Sequence, residues 1–279
     1  MRALVVFLLF AGMQLAAGVL AGLLPVTESD VFMGDTHITA RNLGLSLLLC
    51  EGVLAMCLWL WFYALPKRFS RFSDKEKTHA VPAPEAVIAT ETPTNSSMNT
   101  GEKPRIAHVA MAVAGVLTFA LGLSFLVEPL QLSDDGMEAS FAAMVNTGYC
   151  LLLLCLVGPA AEELVFRAGI LESLRRSGLN GMWSAAISAL SFAVVHGNWA
   201  QGIPAFIVGF LLGLLYLRTR NLRLCLPAHI ANNVLGVCIM KSSFTESING
   251  LPAWSAVTLG VLLTVCSVLI LRPVLRGNR

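Results

Sequence analysis

The chain has 279 residues, of which 56% are hydrophobic and 13% are charged, with a formal net charge of +2 and a mean hydropathy of +0.73. Soluble domains carry about a quarter of their residues as charged side chains. The composition therefore excludes an ordinary soluble domain, and each charge within an apolar segment needs a physical reason.

Long apolar blocks follow one another along the chain, separated by short polar stretches. A membrane-spanning helix needs about 20 apolar residues, and most blocks lack both the polar face of a soluble helix and the alternation of a β-barrel strand. The pattern predicts an all-α polytopic membrane protein with about eight transmembrane helices. The blocks run approximately over 3–24, 43–65, 107–127, 142–160, 182–197, 202–217, 224–240 and 253–275, the fifth to the seventh being short.

Residues 1–65 contain the first two predicted helices. The first block also resembles a secretory signal peptide, but its apolar run continues to Leu24, which favours a retained helix. In the second block, Glu51 interrupts the stretch "LLLCEGVLAM". That carboxylate either supports a packing contact or lies near an interior cavity, and the sequence assigns it no role.

A polar segment, 66–105, follows, and most of it is rich in Pro, Thr and Ser with no apolar period. It predicts a disordered cytoplasmic linker, which separates the first two helices from a membrane domain of about six helices, 106–279. Basic and non-basic loops alternate at every crossing if both termini are cytoplasmic. We therefore expect an integral protein of the cell (inner) membrane with both termini inside.

The stretch "GPAAEELVFRAGILESLRR", residues 158–176, places three charges after an apolar run. Glu163 and Arg167 are four residues apart in the order that favours an ion pair within a helix. Glu162 lies about 100° further around the helix and has no such partner. Gly158–Pro159 predicts a break, with a new helix starting near Pro159.

Two later stretches add polar residues within apolar blocks. "LSFAVVHG" places His196 four residues after Phe192, and "LPAHIANNVLG" places His229 and Asn233 on one face of a helix, with Asn232 directed elsewhere. Each residue alone is typical of an interhelical polar contact. Counting residues places Glu162 and His196 each about 20 Å from the intervening turn, which brings them to similar depth. Convergence of these groups favours catalysis.

The three motifs together resemble the CPBP family of intramembrane proteases. That family contains the type II CAAX prenyl endopeptidases and bacterial bacteriocin-processing or self-immunity homologues, the ABI group, and its patterns are EExxxR, FxxxH and HxxxN. The resemblance covers roughly residues 140–240, and the motifs occur in the family's order. They stand as Glu162-Glu163-xxx-Arg167, Phe192-xxx-His196 and His229-xxx-Asn233.

The resemblance implies an intramembrane endopeptidase that hydrolyses membrane-associated or CAAX-like protein and peptide substrates. It implies that Glu162 and His196 activate a water and that His229 and Asn233 stabilise the oxyanion. The other two charged residues of the first motif would organise the site. A dry site suits this division, because hydrogen-bond donors stabilise an oxyanion most where water is scarce.

Two mechanisms remain open on these residues. Glu162, His196 and His229 could bind Zn²⁺ and leave a position for water, and the family has been classed as metalloproteases on such grounds. However, the HExxH motif is absent, and Asn233 is a poor zinc ligand. A metal-free glutamate–histidine mechanism gives every one of these residues a role, and we favour it.

The main alternative is a membrane protein without catalytic activity, such as an immunity protein that binds a peptide, or a transporter-like protein. No repeat symmetry relates the two halves of the chain, and the polar residues gather in one constellation. Both observations favour an enzyme. We expect the lipid bilayer and a membrane protein or peptide substrate as its partners, and no nucleic acid.

Overall fold

The computed structural model describes residues 2–26, 38–64, 105–133 and 137–276. In these ranges the chain is helical without β-strands, and seven helices are long and apolar enough to cross a membrane. The predicted all-α polytopic membrane protein is confirmed. The predicted linker lies outside the described residues except for its last residue, Arg105.

Short turns join most of the helices. A π-helical turn, Leu60–Ala64, extends the second helix, and a 3₁₀ turn, Glu128–Leu130, follows the third. The helices are α1 (Arg2–Leu23), α2 (Ala40–Trp59), α3 (Ile106–Val127), α4 (Met137–Val145), α5 (Gly148–Arg176), α6 (Gly181–Val194), α7 (Trp199–Thr219), α8 (Leu222–Met240), α9 (Phe244–Asn249) and α10 (Ala253–Arg276).

The fifth predicted span is shorter than the sequence indicated. Helix α6 has 14 residues, a length of about 21 Å against a hydrocarbon thickness of about 30 Å. It ends because Gly197 adopts a left-handed conformation, φ +77°, and Asn198 then caps α7 by accepting a hydrogen bond from the Gln201 amide at 2.9 Å. The end of the predicted block is therefore a turn that carries His196.

Helices α1 and α2 pack directly against α5. Phe10 of α1 meets Phe166 edge to face, with ring centroids 5.4 Å apart, and Leu54 of α2 joins the same buried cluster. Gly169 permits the close approach of α1, since a Cβ there would lie 2.7 Å from Val6 Cγ1. The two N-terminal helices therefore share a core with the helix that carries the first motif.

A second buried cluster holds α7 and α8 against α3 and α10. It contains Val116 of α3, Leu212 of α7, Ala228 of α8 and Leu271 of α10. Between membrane-spanning helices such packing stabilises the bundle through van der Waals contacts. This packing fixes the part of α8 from which the next residue, His229, projects.

Helix α5 does not break at Gly158–Pro159, so that prediction is wrong. The helix continues through an α-helical turn, Gly158–Glu162, between two π-helical stretches, Leu153–Val157 and Glu163–Leu171. A proline ring clashes with the carbonyl four residues earlier, and the wider π turn relieves that clash. The Gly158 amide accordingly bonds to the Leu153 carbonyl, five residues back. The glutamates thus lie in mid-helix.

Candidate active site

The three sequence motifs meet at one cavity of about 800 Å³. Side chains of α1, α2, α3, α5, α7 and α8 contribute to its wall, together with the end of α6 and the turn after it. The motif residues on that wall are Glu162, Phe192, His196, His229 and Asn233. The structure therefore brings together motifs that lie far apart in the sequence.

Glu163 and Arg167 lie behind the wall and form the predicted ion pair. Arg167 Nη1 is 3.2 Å from Glu163 Oε1, and both side chains are 1% exposed. Arg167 Nη2 also donates to the Gly209 carbonyl at 3.1 Å, and the guanidinium lies 5.2 Å from the centre of the Phe192 ring. These contacts join α5 to α6 and α7 and compensate part of the cost of burying two charges.

His229 connects this buried pair to the cavity. Its Nδ1 lies 2.8 Å from Glu163 Oε1, and its Nε2 lies 3.4 Å from Glu162 Oε2. A carboxylate accepts hydrogen bonds, so Nδ1 is the protonated nitrogen in the first contact. The second contact is favourable only when a proton lies on Nε2 or on Glu162. His229 thus approaches the cavity carboxyl through Nε2 while Nδ1 holds the buried one.

Glu162 is the member of the first motif that reaches the cavity. Its side chain is 18% exposed, whereas that of Glu163 is 1% exposed. The difference follows from their offset of about 100° around the helix. As the sequence predicted, one carboxylate is held by Arg167, and the other is available for chemistry.

His196 lies on the same wall in the turn after α6. Its Nδ1 is 2.8 Å from the Phe192 carbonyl, which can only accept, so Nδ1 carries hydrogen and Nε2 of the neutral ring is an acceptor. Its ring also packs edge to face on Phe192, at 4.7 Å between centroids. In this arrangement no hydrogen bond or ion pair joins His196 to Glu162, although both residues are described.

Asn233 and Asn232 both line the cavity. Asn233 Nδ2 donates to the Leu154 carbonyl at 2.9 Å, and Asn232 Nδ2 donates to Asn233 Oδ1 at 3.4 Å. The prediction that Asn232 is directed away from the site is wrong, because the wall includes a broad face of α8. That face extends to Gly236 and Met240.

Several polar residues on the wall lie outside the motifs, among them Gln14 of α1 and Glu51 of α2. Gln14 Nε2 donates to Glu51 Oε1 at 2.7 Å, which pairs the first two helices inside the cavity. The sequence carried a signal for both, since each is a polar residue within an apolar block. Both alternatives for Glu51 are observed, since it forms a packing contact with α1 and also lies at the interior cavity.

The donors at this site do not fit zinc in their present arrangement. A catalytic zinc needs three protein ligands, and among the described residues no group of three His, Cys, Asp or Glu side chains could hold an ion. Both ring nitrogens of His229 face carboxylates, those of Glu162 and Glu163. His196 instead contacts the Phe192 carbonyl. The predicted set of Glu162, His196 and His229 is thus not assembled as a metal site.

A family comparison agrees with the motifs. Residues 145–235 match the model described as type II CAAX prenyl endopeptidase Rce1-like. The resemblance to this family is confirmed. The matched segment includes every motif residue and excludes α1 and α2. It supports a membrane protease of the CAAX type, and with the seven apolar helices it supports an integral membrane protein.

A protein of Bacillus subtilis (strain 168), named "Putative membrane peptidase YdiL", is 24% identical to the chain over 152 residues. The match covers 52% of this chain and 62% of that protein. The chain therefore spans less than two thirds of the relative that it matches. No solved structure matches the chain.

Proposed function

We propose that the chain is an intramembrane endopeptidase that hydrolyses membrane-associated or CAAX-like protein and peptide substrates with water activated by Glu162. The observation that carries the proposal is the position of His229 between Glu162 and Glu163, at 3.4 and 2.8 Å, on the wall of a cavity. General acid–base hydrolysis needs a carboxylate that substrate and water can reach, here Glu162, and a neighbour that can exchange a proton with it, here His229.

Glu162 and His196 activate the water together. Glu162 accepts a proton from the water, and the unprotonated Nε2 of His196 accepts the water's second hydrogen bond and orients it. The water oxygen then bonds to the carbonyl carbon of the substrate. Neither residue needs to contact the other for this step, since the water lies between them.

The oxyanion receives donors from α8. When Glu162 takes the water's proton, its negative charge is lost and appears on the substrate oxygen, so the Nε2 hydrogen of His229 can donate there instead. The amides of Asn232 and Asn233 supply further donors on the same wall. Such donors act strongly where water is scarce, each contributing about 3–4 kcal/mol.

The reaction is completed by returning the proton to the leaving group. The carbon–nitrogen bond breaks as the proton held by Glu162 moves to the leaving amine, and the carboxylate regains its charge. Glu163 and Arg167 touch no substrate in this scheme. They hold His229 in one orientation and are positioning residues.

The alternating basic loops favour both termini on the cytoplasmic side of the inner membrane. In that orientation the end of α5, with Arg175 and Arg176, faces the cytoplasm. We propose that substrates are membrane proteins or membrane-bound peptides, because the cavity lies among helices long and apolar enough to cross a membrane.

The test compares membranes from cells that express wild type, Glu162→Gln or Glu85→Gln at equal levels. Glu85→Gln removes the same charge outside the family-matched segment. Profiling of protein N-termini should reveal new termini with wild type and Glu85→Gln and none with Glu162→Gln. Identical profiles from all three, with folded and abundant protein, would contradict proteolysis and favour a protein that binds peptides without cutting them.

A further inference from the structure

Glu51 places a third carboxyl group in the cavity from a helix outside the family-matched segment. The residue lines the cavity and is 7% exposed. Gln14 holds its Oε1, while its Oε2 is buried without a hydrogen-bond partner. Leaving a buried polar oxygen without a donor costs about 1–3 kcal/mol. A ligand that supplies a positive donor would remove that cost.

The position of Glu51 relative to Glu162 is set by Gly158. A Cβ on Gly158 would lie 3.3 Å from Glu51 Oε2, so the absence of a side chain admits the carboxyl group. Gly158 precedes Glu162 by four residues in an α-helical turn, which places the two on one face about 6 Å apart. Glu51 Oε2 therefore approaches α5 at the helical turn that precedes Glu162, on the same face of the helix.

The ionisable lining of the cavity is acidic. The titratable side chains on its wall are Glu51, Glu128, Glu162, His196 and His229, and among the described residues no Lys or Arg lines it. The buried guanidinium nearby is already paired with Glu163. Neighbouring carboxylates in a medium of low dielectric constant repel each other, and a cation between them is stabilised.

We propose that Glu51 forms a specificity subsite that binds a positively charged group of the substrate beside Gly158, at the helical turn of α5 that precedes Glu162. The group is an ammonium or guanidinium, supplied by a lysine or arginine side chain or by a free amino terminus. This subsite rests on the proposed endopeptidase function. Gln14 acts as a positioning residue that holds the Glu51 carboxylate in place. Helix α2, which carries Glu51, thereby selects the substrates that are cleaved at Glu162.

The experiment uses the full chain in liposomes and peptides built on a cleavage site found by N-terminal profiling. The peptides carry Lys, Arg, Gln or Glu at successive offsets from the scissile bond, each with a free or an acetylated amino terminus. Wild type should show a kcat/KM at least about tenfold higher for Lys or Arg than for Gln at one offset. If the amino terminus is the cation, acetylation should produce that loss instead.

Glu51→Gln should reduce this ratio to about one, and Glu51→Asp should retain part of it. Gln14→Met, which removes the donor but leaves the charge, should lower the ratio and serves if Glu51→Gln does not fold. Glu128→Gln is the matched control, since it removes the same charge from another part of the wall and should keep the ratio. An equal loss in Glu51→Gln and Glu128→Gln would indicate a general charge effect and overturn the subsite.

Failure of the subsite and failure of the protease are distinguishable. A wild-type ratio near one at every offset with normal cleavage overturns the subsite alone. If wild type cleaves no peptide, the endopeptidase fails, and the subsite is decided by the thermal unfolding midpoint with bound Lys and Gln peptides. Equal midpoints for the two peptides would then overturn it as well.

Discussion

His229 lies between two adjacent glutamates and contacts both, with Nδ1 at 2.8 Å from Glu163 and Nε2 at 3.4 Å from Glu162. The two carboxylates are neighbours in sequence, yet one is sealed in the protein and the other faces the cavity. The imidazole therefore joins a buried ion pair to a group that can exchange protons with a substrate. Its Nδ1 contacts the buried carboxylate, and its Nε2 contacts the carboxylate at the cavity.

Replacing His229 should affect the chemistry more than the fold. His229→Gln retains a donor for Glu163 but cannot share a proton with Glu162, so we expect kcat to fall by at least about 100-fold. Cleavage of a fixed peptide in liposomes measures this. His108→Gln in α3, which does not line the cavity, is the control and should cleave at the wild-type rate. Full activity of His229→Gln would contradict the shared-proton scheme.

The buried pair of Glu163 and Arg167 predicts a stability coupling. Arg167→Met leaves a buried carboxylate without its cation and should cost about 3–5 kcal/mol. Adding Glu163→Gln should recover at least about 1 kcal/mol, because Glu163 Oε2 and Arg167 Nε already lack hydrogen bonds. The thermal unfolding midpoints of the purified variants in detergent provide the comparison.

Arg105→Lys is the control for this cycle. Arg105 is exposed at the start of α3 and makes no side-chain cap, so its substitution should change stability by less than about 0.5 kcal/mol. Strict additivity of Arg167→Met and Glu163→Gln would show that the two side chains do not interact.

Local patterns predicted part of this site correctly. The ion pair of Glu163 and Arg167 could be predicted because both partners lie on one helix, four residues apart. The apolar blocks predicted the helices because the bilayer sets their length. Helix α6 was one exception, since its end depends on a left-handed glycine at 197 and on the cap of the next helix. The fourth block, 142–160, was another, because it covers the end of α4, a turn and the start of α5, which continues to Arg176.

Contacts between distant segments could not be predicted. The bond between His229 and Glu163 joins residues 66 positions apart and depends on how α8 packs against α5. The bond from Gln14 to Glu51 likewise depends on the packing of α1 against α2. The π stretches around Gly158–Pro159 arise because neighbouring helices hold α5 continuous where proline alone would favour a break.

Gly158 should tolerate a methyl group less well than a helical glycine with open space around it. A Cβ there would lie 3.0 Å from the Leu153 carbonyl oxygen and 3.3 Å from Glu51 Oε2, so in Gly158→Ala these atoms must shift by a few tenths of an ångström. We expect this crowding to offset the helix-forming advantage of alanine, about 1 kcal/mol, and to give a lower unfolding midpoint than a glycine-to-alanine change without such contacts.

Gly52→Ala is the matched control for that substitution. No atom lies within 4 Å of its Cβ position in the middle of α2. Alanine favours a helix over glycine by about 1 kcal/mol, so this variant should be as stable as wild type or more so. If Gly158→Ala were equally well tolerated, the close approach of Glu51 to α5 would be wrong.

Metal removal should leave catalysis intact, because the donors at the cavity are committed to other contacts. His229 faces carboxylates through both nitrogens, and His196 binds the Phe192 carbonyl. Peptide cleavage should therefore continue at the wild-type rate after treatment with 1,10-phenanthroline, with the non-chelating 1,7 isomer as the matched reagent control. A zinc protease assayed in the same liposomes should lose its activity. Activity that disappears with the chelator alone and returns on adding Zn²⁺ would establish a metal mechanism and require His196, His229 and Glu162 to rearrange around the ion.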